Sequence, residues 1–306
     1  MHKVAIVFSG QGAQYSGMGK ELYNCSPAAK EVFELCERLR SGTIAQCFEG
    51  SKEELSLTIN TQPCLFAMDL AAGCALAEAG IKPSCVAGFS LGEIAAIAFV
   101  GILSYEDAFK LVCKRAELMH EAAQKNKGAM AAVLGLSPAA VEEICASLGS
   151  AYPVNYNCPG QIVVAFSEEL LTPLLDAVKA AGGKAIRLAV SGAFHTPFMQ
   201  QASEELSKYL SAMTLHNPVL PVYSNYTAAP YVGDMKALII NQIKSPVLWQ
   251  KTIENISMLG IDTFIEVGAG KTLCGLINKI LSGTTVFNVE NVETLSNTLL
   301  HFKGEN

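Results

Sequence analysis

Close-set cysteine pairs are missing from this sequence. Its ten cysteines include no two within the two-to-four-residue gap that zinc sites use, and none stands near a histidine pair, so no metal site is expected. Scattered through apolar segments as Cys25, Cys36, Cys64, Cys85, Cys113 and others, they read as small core residues in a reducing compartment. Charge is scarce too: 16% of the 306 residues are charged, half are apolar, and the net charge is −6. That profile belongs to a folded globular chain and is a poor match to broad nucleic-acid or membrane-surface binding. Heptad runs, low-complexity tracts and internal repeats are absent. The longest apolar helical stretch, Cys64 to Gly80, carries Asp69 and Glu78 and falls short of a membrane span. The apolar run in MHKVAIVFSG is too short for a signal peptide. A cytoplasmic protein is expected, with neither nucleic acid nor membrane as partner.

What is present alternates between strand and helix patterns. Val4 to Phe8 is a short apolar run ended by Ser9-Gly10, as in a parallel strand buried on both faces. Residues 62–80 have helical periodicity, Ser84 to Ala87 is another short apolar run, and LGEIAAIAFVG follows as a helix. Ser104 opens a further helix, with Asp107 in capping-box register, that runs through Arg115 towards Ala123. From Gly128 to about Val190 the rhythm changes. GAMAAVLGL, AYPVNYN, QIVVAF and KAIRLAV read as strands, with SPAAVEEICASLG and EELLTPLLDAVKAAG as helices between them. The order is β-α-β-β-α-β, the ferredoxin-like unit. The expected fold is α/β, a largely parallel sheet over residues 1–125 and 195–306 with a ferredoxin-like subdomain inserted at 126–194.

The strongest chemical signal is Gly88-Phe89-Ser90-Leu91-Gly92, a G-x-S-x-G between a short strand and a helix. In such a nucleophile elbow the serine is exposed above the sheet at a helix N-terminus, where the backbone N–H of Leu91 can meet an oxyanion. A plain Gly-rich turn with serine as N-cap is the competing reading. The serine needs a base, and histidines are few. Of the five, His2 and His301 are near the ends, His216 is in an Asn-Pro turn, and His120 is late in a helix. His195 sits in the loop after the last strand of the inserted unit, which makes it the candidate. No acid stands in a motif to orient it, so a dyad leaning on a backbone carbonyl is as plausible as a triad. Gly10-Gln11-Gly12 fails as a dinucleotide fingerprint because Tyr15 occupies the third glycine position. Gly270-Lys271-Thr272 fails as a phosphate loop because Ile265 stands where glycine is required. Arg115, beside Lys114 and Glu117, reads by itself as a surface charge.

Together the stretches GQGAQ, TQPCLFAMD, AGFSLGE, KRAELMHEA with GAMAAVLG, NYNCPGQIV, SGAFHTPFM and IEVGAGKTLCGL resemble the bacterial malonyl-CoA–acyl carrier protein transacylases of type II fatty acid synthesis. They occur in that family's order and cover nearly the whole chain. The resemblance implies a hydrolase-like core and an acyltransferase passing malonyl from malonyl-CoA to the phosphopantetheine thiol of acyl carrier protein. It makes Ser90 the acylated nucleophile, His195 its base, and the backbone N–H groups of Gln11 and Leu91 the oxyanion hole. Arg115 falls on the arginine that grips the malonyl carboxylate, and Leu248 on the residue whose carbonyl orients the histidine. Gln62, Asn155, Asn157 and Phe194 match positions near the family's pocket, and Lys279 falls where basic residues dock the acidic carrier protein. No cofactor is implied, and a monomer is expected. Two positions depart from the pattern: Phe89, where histidine is commoner, and Leu248, where glutamine is common. Three other functions remain to be weighed. A polyketide acyltransferase would share the chemistry, a hydrolase of stalled acyl groups would have no use for Arg115, and a binding protein would not need Ser90 and His195.

Overall fold

The structure, a computed structural model, describes residues 3–190 and 192–303; Ser191, in the stretch before His195, lies outside the described residues. Nine strands occur among them: β1 Val4–Phe8, β2 Cys85–Gly88, β3 Gly128–Leu134, β4 Ala151–Cys158, β5 Gln161–Ser167, β6 Lys184–Arg187, β7 Val222–Tyr223, β8 Thr263–Val267 and β9 Thr285–Val289. They form two separate sheets. The first has the order β7-β2-β1-β8-β9 with every pairing parallel. Its inner strands β1, β2 and β8 are buried at every position, which is why β1 and β2 read as continuous apolar runs; β8 buries Thr263 and Glu266 as well. The helix Thr58–Glu78 is buried without interruption from Thr61 to Leu76 and packs on this sheet as a core helix, mostly apolar but burying Gln62 and Asp69 as well. The helix Tyr105–Lys125 starts at the expected cap, with the Asp107 N–H donating to Ser104 Oγ at 3.0 Å.

The second sheet is antiparallel, in the order β4-β5-β3-β6. Two helices, Pro138–Leu148 and Leu171–Ala180, lie between its strands in the chain. Val141, Leu174 and Val178 from the helices close over Val133, Val164 and Phe166 to make its own apolar cluster. Strand β6 is shorter than the apolar pattern to Val190 suggested. It is an edge strand with three of its four residues exposed, so burial does not hold it in register further. The result is a mixed α/β fold with a parallel sheet and a separate antiparallel one. The antiparallel sheet is joined to the segment before the helix Trp249–Ser257, where the Val247 N–H donates to the Val154 carbonyl at 2.7 Å and the Tyr156 N–H to the Val247 carbonyl at 3.0 Å. The loops that leave the carboxyl ends of β1, β2 and β8 face that junction, the usual place for a site in an open parallel sheet.

Candidate active site

Between β2 and the helix Leu91–Phe99 the chain turns so tightly that side chains are excluded on both flanks of Ser90. A Cβ on Gly88 would lie 2.0 Å from the Gly92 carbonyl carbon, and one on Gly92 would lie 2.3 Å from the Phe8 oxygen. Ser90 itself has φ 52° and ψ −100°, a conformation that costs about 1–3 kcal/mol and must be held by its surroundings. Asn225 does much of the holding. Its Oδ1 accepts the Ser90 N–H at 2.7 Å and its Nδ2 donates to the Gly88 carbonyl at 2.6 Å, so one side chain pins both ends of the turn. Gln242 Nε2 donates to the Ser90 carbonyl at 2.5 Å.

The hydroxyl points at an imidazole. Ser90 Oγ lies 2.8 Å from His195 Nε2, and His195 Nδ1 lies 2.9 Å from the carbonyl oxygen of Gln242. A carbonyl only accepts, so the proton belongs on Nδ1 and Nε2 is free to take the serine proton. Burial, and then the positive charge of Arg115, push His195 down to about 4, so the ring is neutral at physiological pH. Its backbone, at φ 61°, is also left-handed. The carbonyl expected at Leu248 is therefore the wrong one. Leu248 caps the helix Trp249–Ser257, and its oxygen accepts from the N–H and hydroxyl of Thr252, both at 2.9 Å. Gln242 ends the helix Met235–Gln242, whose last carbonyls have no partner within the helix, and one of them meets the imidazole.

Arg115 is 1% exposed, contrary to the surface charge its neighbours suggest. Its helix turns Lys114 and Glu117 outward, where they pair at 2.9 Å, and Arg115 inward. The guanidinium donates to Gln62 Oε1 at 2.6 Å, Gln242 Oε1 at 3.0 Å and Ser90 Oγ at 3.3 Å, while Nε has no partner. All three acceptors are neutral. Burial lowers Arg115 to about 10, which leaves it charged at neutral pH. A buried cation beside a nucleophilic hydroxyl, with donor capacity to spare, is built to receive an anion.

A cleft of about 650 Å³ runs between the two sheets and is walled by Gln11, Phe89, Asn155, Asn157, Gln161 and Leu276, among others. Phe89, the neighbour of Ser90 in the chain, is on its wall, whereas Ser90, His195 and Arg115 are not among the residues that line it. Asn155 and Asn157 each present a buried Oδ1 without a partner, and Asn157 is only 6% exposed. Phe194 is buried next to His195, and Gln62 is wholly buried against Arg115. Leu91 is the first residue of its helix, so its N–H has no acceptor within that helix. Lys279 is exposed on the helix Thr272–Ile280, whose buried Leu273 and Leu276 line the cleft. Ser90, His195, Arg115 and Gln62 thus converge, Gln11, Asn155 and Asn157 line the approach, and Lys279 stands outside it. Three residues of the site had no sequence signal: Gln242, Asn225 and Glu93, whose carboxylate accepts the Asn225 N–H at 2.7 Å.

The acyl transferase domain family matches residues 5–294. In sequence the chain is 40% identical to the malonyl CoA-acyl carrier protein transacylase of Bacillus subtilis, covering 100% of this chain and 99% of that protein. It is 38% identical to the corresponding Staphylococcus aureus protein, over 96% of this chain and 97% of the other. The crystal structure of the Clostridium perfringens malonyl CoA-acyl carrier protein transacylase superposes with a TM-score of 0.95 at 36% identity, covering 99% and 98% of the two chains. A malonyl-transacylase solved in complex with a type II polyketide acyl-carrier protein superposes with a TM-score of 0.94 at 32% identity, over 98% and 99%.

Proposed function

Because the chain belongs to the acyl transferase domain family, we propose that it moves a malonyl group from malonyl-CoA to the phosphopantetheine thiol of an acyl carrier protein through a malonyl-Ser90 intermediate. The observation that carries this reading is the convergence at one oxygen: Ser90 Oγ sits 2.8 Å from a neutral imidazole and 3.3 Å from a buried guanidinium. The thioester enters along the cleft between the sheets. Ser90 attacks its carbonyl carbon while His195 Nε2 takes the hydroxyl proton, and the backbone N–H groups of Gln11 and Leu91 stabilise the oxyanion. The imidazolium returns the proton to the departing CoA thiolate, leaving malonyl on Ser90. The carrier thiol enters next, gives its proton to His195 and takes the malonyl in a second displacement, and the imidazolium returns that proton to the departing Ser90 oxygen. Through both steps Arg115 holds the free carboxylate. Gln242 makes this one apparatus, since its carbonyl orients the imidazole and its side chain supports both the guanidinium and the serine backbone.

Asn155 and Asn157 offer their unpartnered oxygens to the amide N–H groups of the pantetheine arm, and Phe194 borders the acyl pocket. Lys279 supplies positive charge for an acidic carrier protein. We assign residues 1–125 and 195–306 to a hydrolase-like core and 126–194 to a ferredoxin-like subdomain, on the β-α-β-β-α-β order of the second sheet. The mechanism calls on no cofactor beyond its two substrates. The reading includes a monomer, and ten unpaired cysteines fit the cytoplasm. The test is a two-stage transfer. Enzyme incubated with radiolabelled malonyl-CoA and freed of it should pass the label to holo-acyl carrier protein; label that never binds the enzyme, or that only hydrolyses, rejects the reading. Comparing fatty acid and polyketide carrier proteins as acceptors decides between the two pathways.

A further inference from the structure

Beneath the elbow lies one carboxylate that this chemistry does not use. Glu93, on the helix Leu91–Phe99, is fully buried. Its Oε2 accepts the Asn225 N–H at 2.7 Å, its Oε1 accepts the Tyr231 hydroxyl, and the Gln242 side chain also favours its ionised form. Each of those partners except Tyr231 touches the reacting groups. Asn225 pins the Ser90 N–H and the Gly88 carbonyl. Gln242 bonds Arg115, the Ser90 backbone and the His195 ring. The charged group facing Glu93 is Arg115, from the helix Tyr105–Lys125, and the other titratable group is the Tyr231 phenol.

We propose that Glu93 is a positioning residue for acyl transfer: its carboxylate anchors the Asn225 backbone, and Asn225 holds the turn that sets the Ser90 hydroxyl against the His195 imidazole and the Arg115 guanidinium. The inference rests on Ser90 being the acylated nucleophile. It gives the site a buried acid that acts not on the imidazole but on the serine turn, through Asn225. Burial pushes the Glu93 carboxyl from 4.5 up to about 7, against the opposing pull of Tyr231, Asn225 and Arg115. A carboxyl whose pKa rises on folding loses stability for the native state as pH climbs from its ordinary value through the raised one. An ionised Glu93 therefore weakens the fold above neutrality, and its place under the nucleophile points to the reaction as the reason for keeping it.

The test is Glu93→Gln, which keeps the shape; the Tyr231 hydroxyl can rotate to accept from the new amide. Malonyl transfer should lose kcat by about tenfold or more while KM for malonyl-CoA stays within about threefold. At pH 8 the melting temperature should be unchanged or higher, because no carboxylate is then buried. The wild-type kcat should fall on acidification through about pH 7, and Glu93→Gln should lack that limb. In a second variant, Tyr231→Phe, loss of one donor should move the limb to higher pH. A kcat within twofold of wild type, a loss of kcat together with a lower melting temperature at pH 8, or an acid limb unmoved in both variants would overturn the proposal. A wild-type enzyme that malonyl-CoA does not acylate at Ser90 would instead remove the function on which it rests, whatever the variants do.

Discussion

Arg115→Ala separates recognition of the malonyl carboxylate from acyl chemistry in general. The guanidinium is 1% exposed and its protein acceptors are all neutral, so the bound carboxylate would be its one anionic contact among hydrogen-bond partners. A hydrogen bond to a charged group contributes about 1.5–3 kcal/mol, and a carboxylate left unpaired in a buried space costs about 3–5 kcal/mol. At about 1.4 kcal/mol per factor of ten, kcat/KM for malonyl-CoA should fall by about 10²- to 10³-fold. Acetyl-CoA has no carboxylate to lose. Its transfer should suffer only from the released Gln62 and Gln242 side chains, by about tenfold or less. The assay is kcat/KM for both thioesters with one carrier protein. Equal losses for malonyl and acetyl would refute the claim that Arg115 reads the carboxylate.

Other outcomes follow from the same geometry. The His195 ring stays neutral when folded down to about 4, whereas the unfolded chain takes up the proton near 6.5, so stability should fall as pH drops through that window. His195→Gln should flatten that slope in thermal melts between those pH values, by on the order of 3 kcal/mol in all. Gly92→Ala places a Cβ 2.3 Å from the Phe8 oxygen, and should lower stability by about 3 kcal/mol or more in chemical denaturation. Lys279→Glu should raise KM for the carrier protein severalfold at low salt and leave malonylation of Ser90 by malonyl-CoA unchanged; an unaltered KM would detach Lys279 from docking.

The parts of the molecule legible in the sequence are those whose signals are local. The elbow announces itself because only glycine fits at positions 88 and 92, and β1 and β2 because burial on both faces demands unbroken apolar runs. Strand β9 gives a weaker signal, since four of its five residues are only half-buried at the sheet edge. The inward turn of Arg115 was hidden by its charged neighbours, because burial depends on how the helix is rotated against the core. The carbonyl that orients His195 has no sequence signature at all. Any residue supplies a carbonyl, and the choice of Gln242 over Leu248 is made by where a helix ends. Asn225 bonds Ser90 and Glu93 across 135 and 132 residues of chain, through contacts that exist only once β7 has paired with β2.

Intact-protein mass spectrometry after brief exposure to malonyl-CoA tests the site most directly, with wild type and Ser90→Ala side by side. The wild-type protein should gain the mass of one malonyl group, mapped by proteolysis to the peptide containing Ser90, and Ser90→Ala should gain none. An unmodified wild type, or a label that survives in Ser90→Ala, would contradict the account.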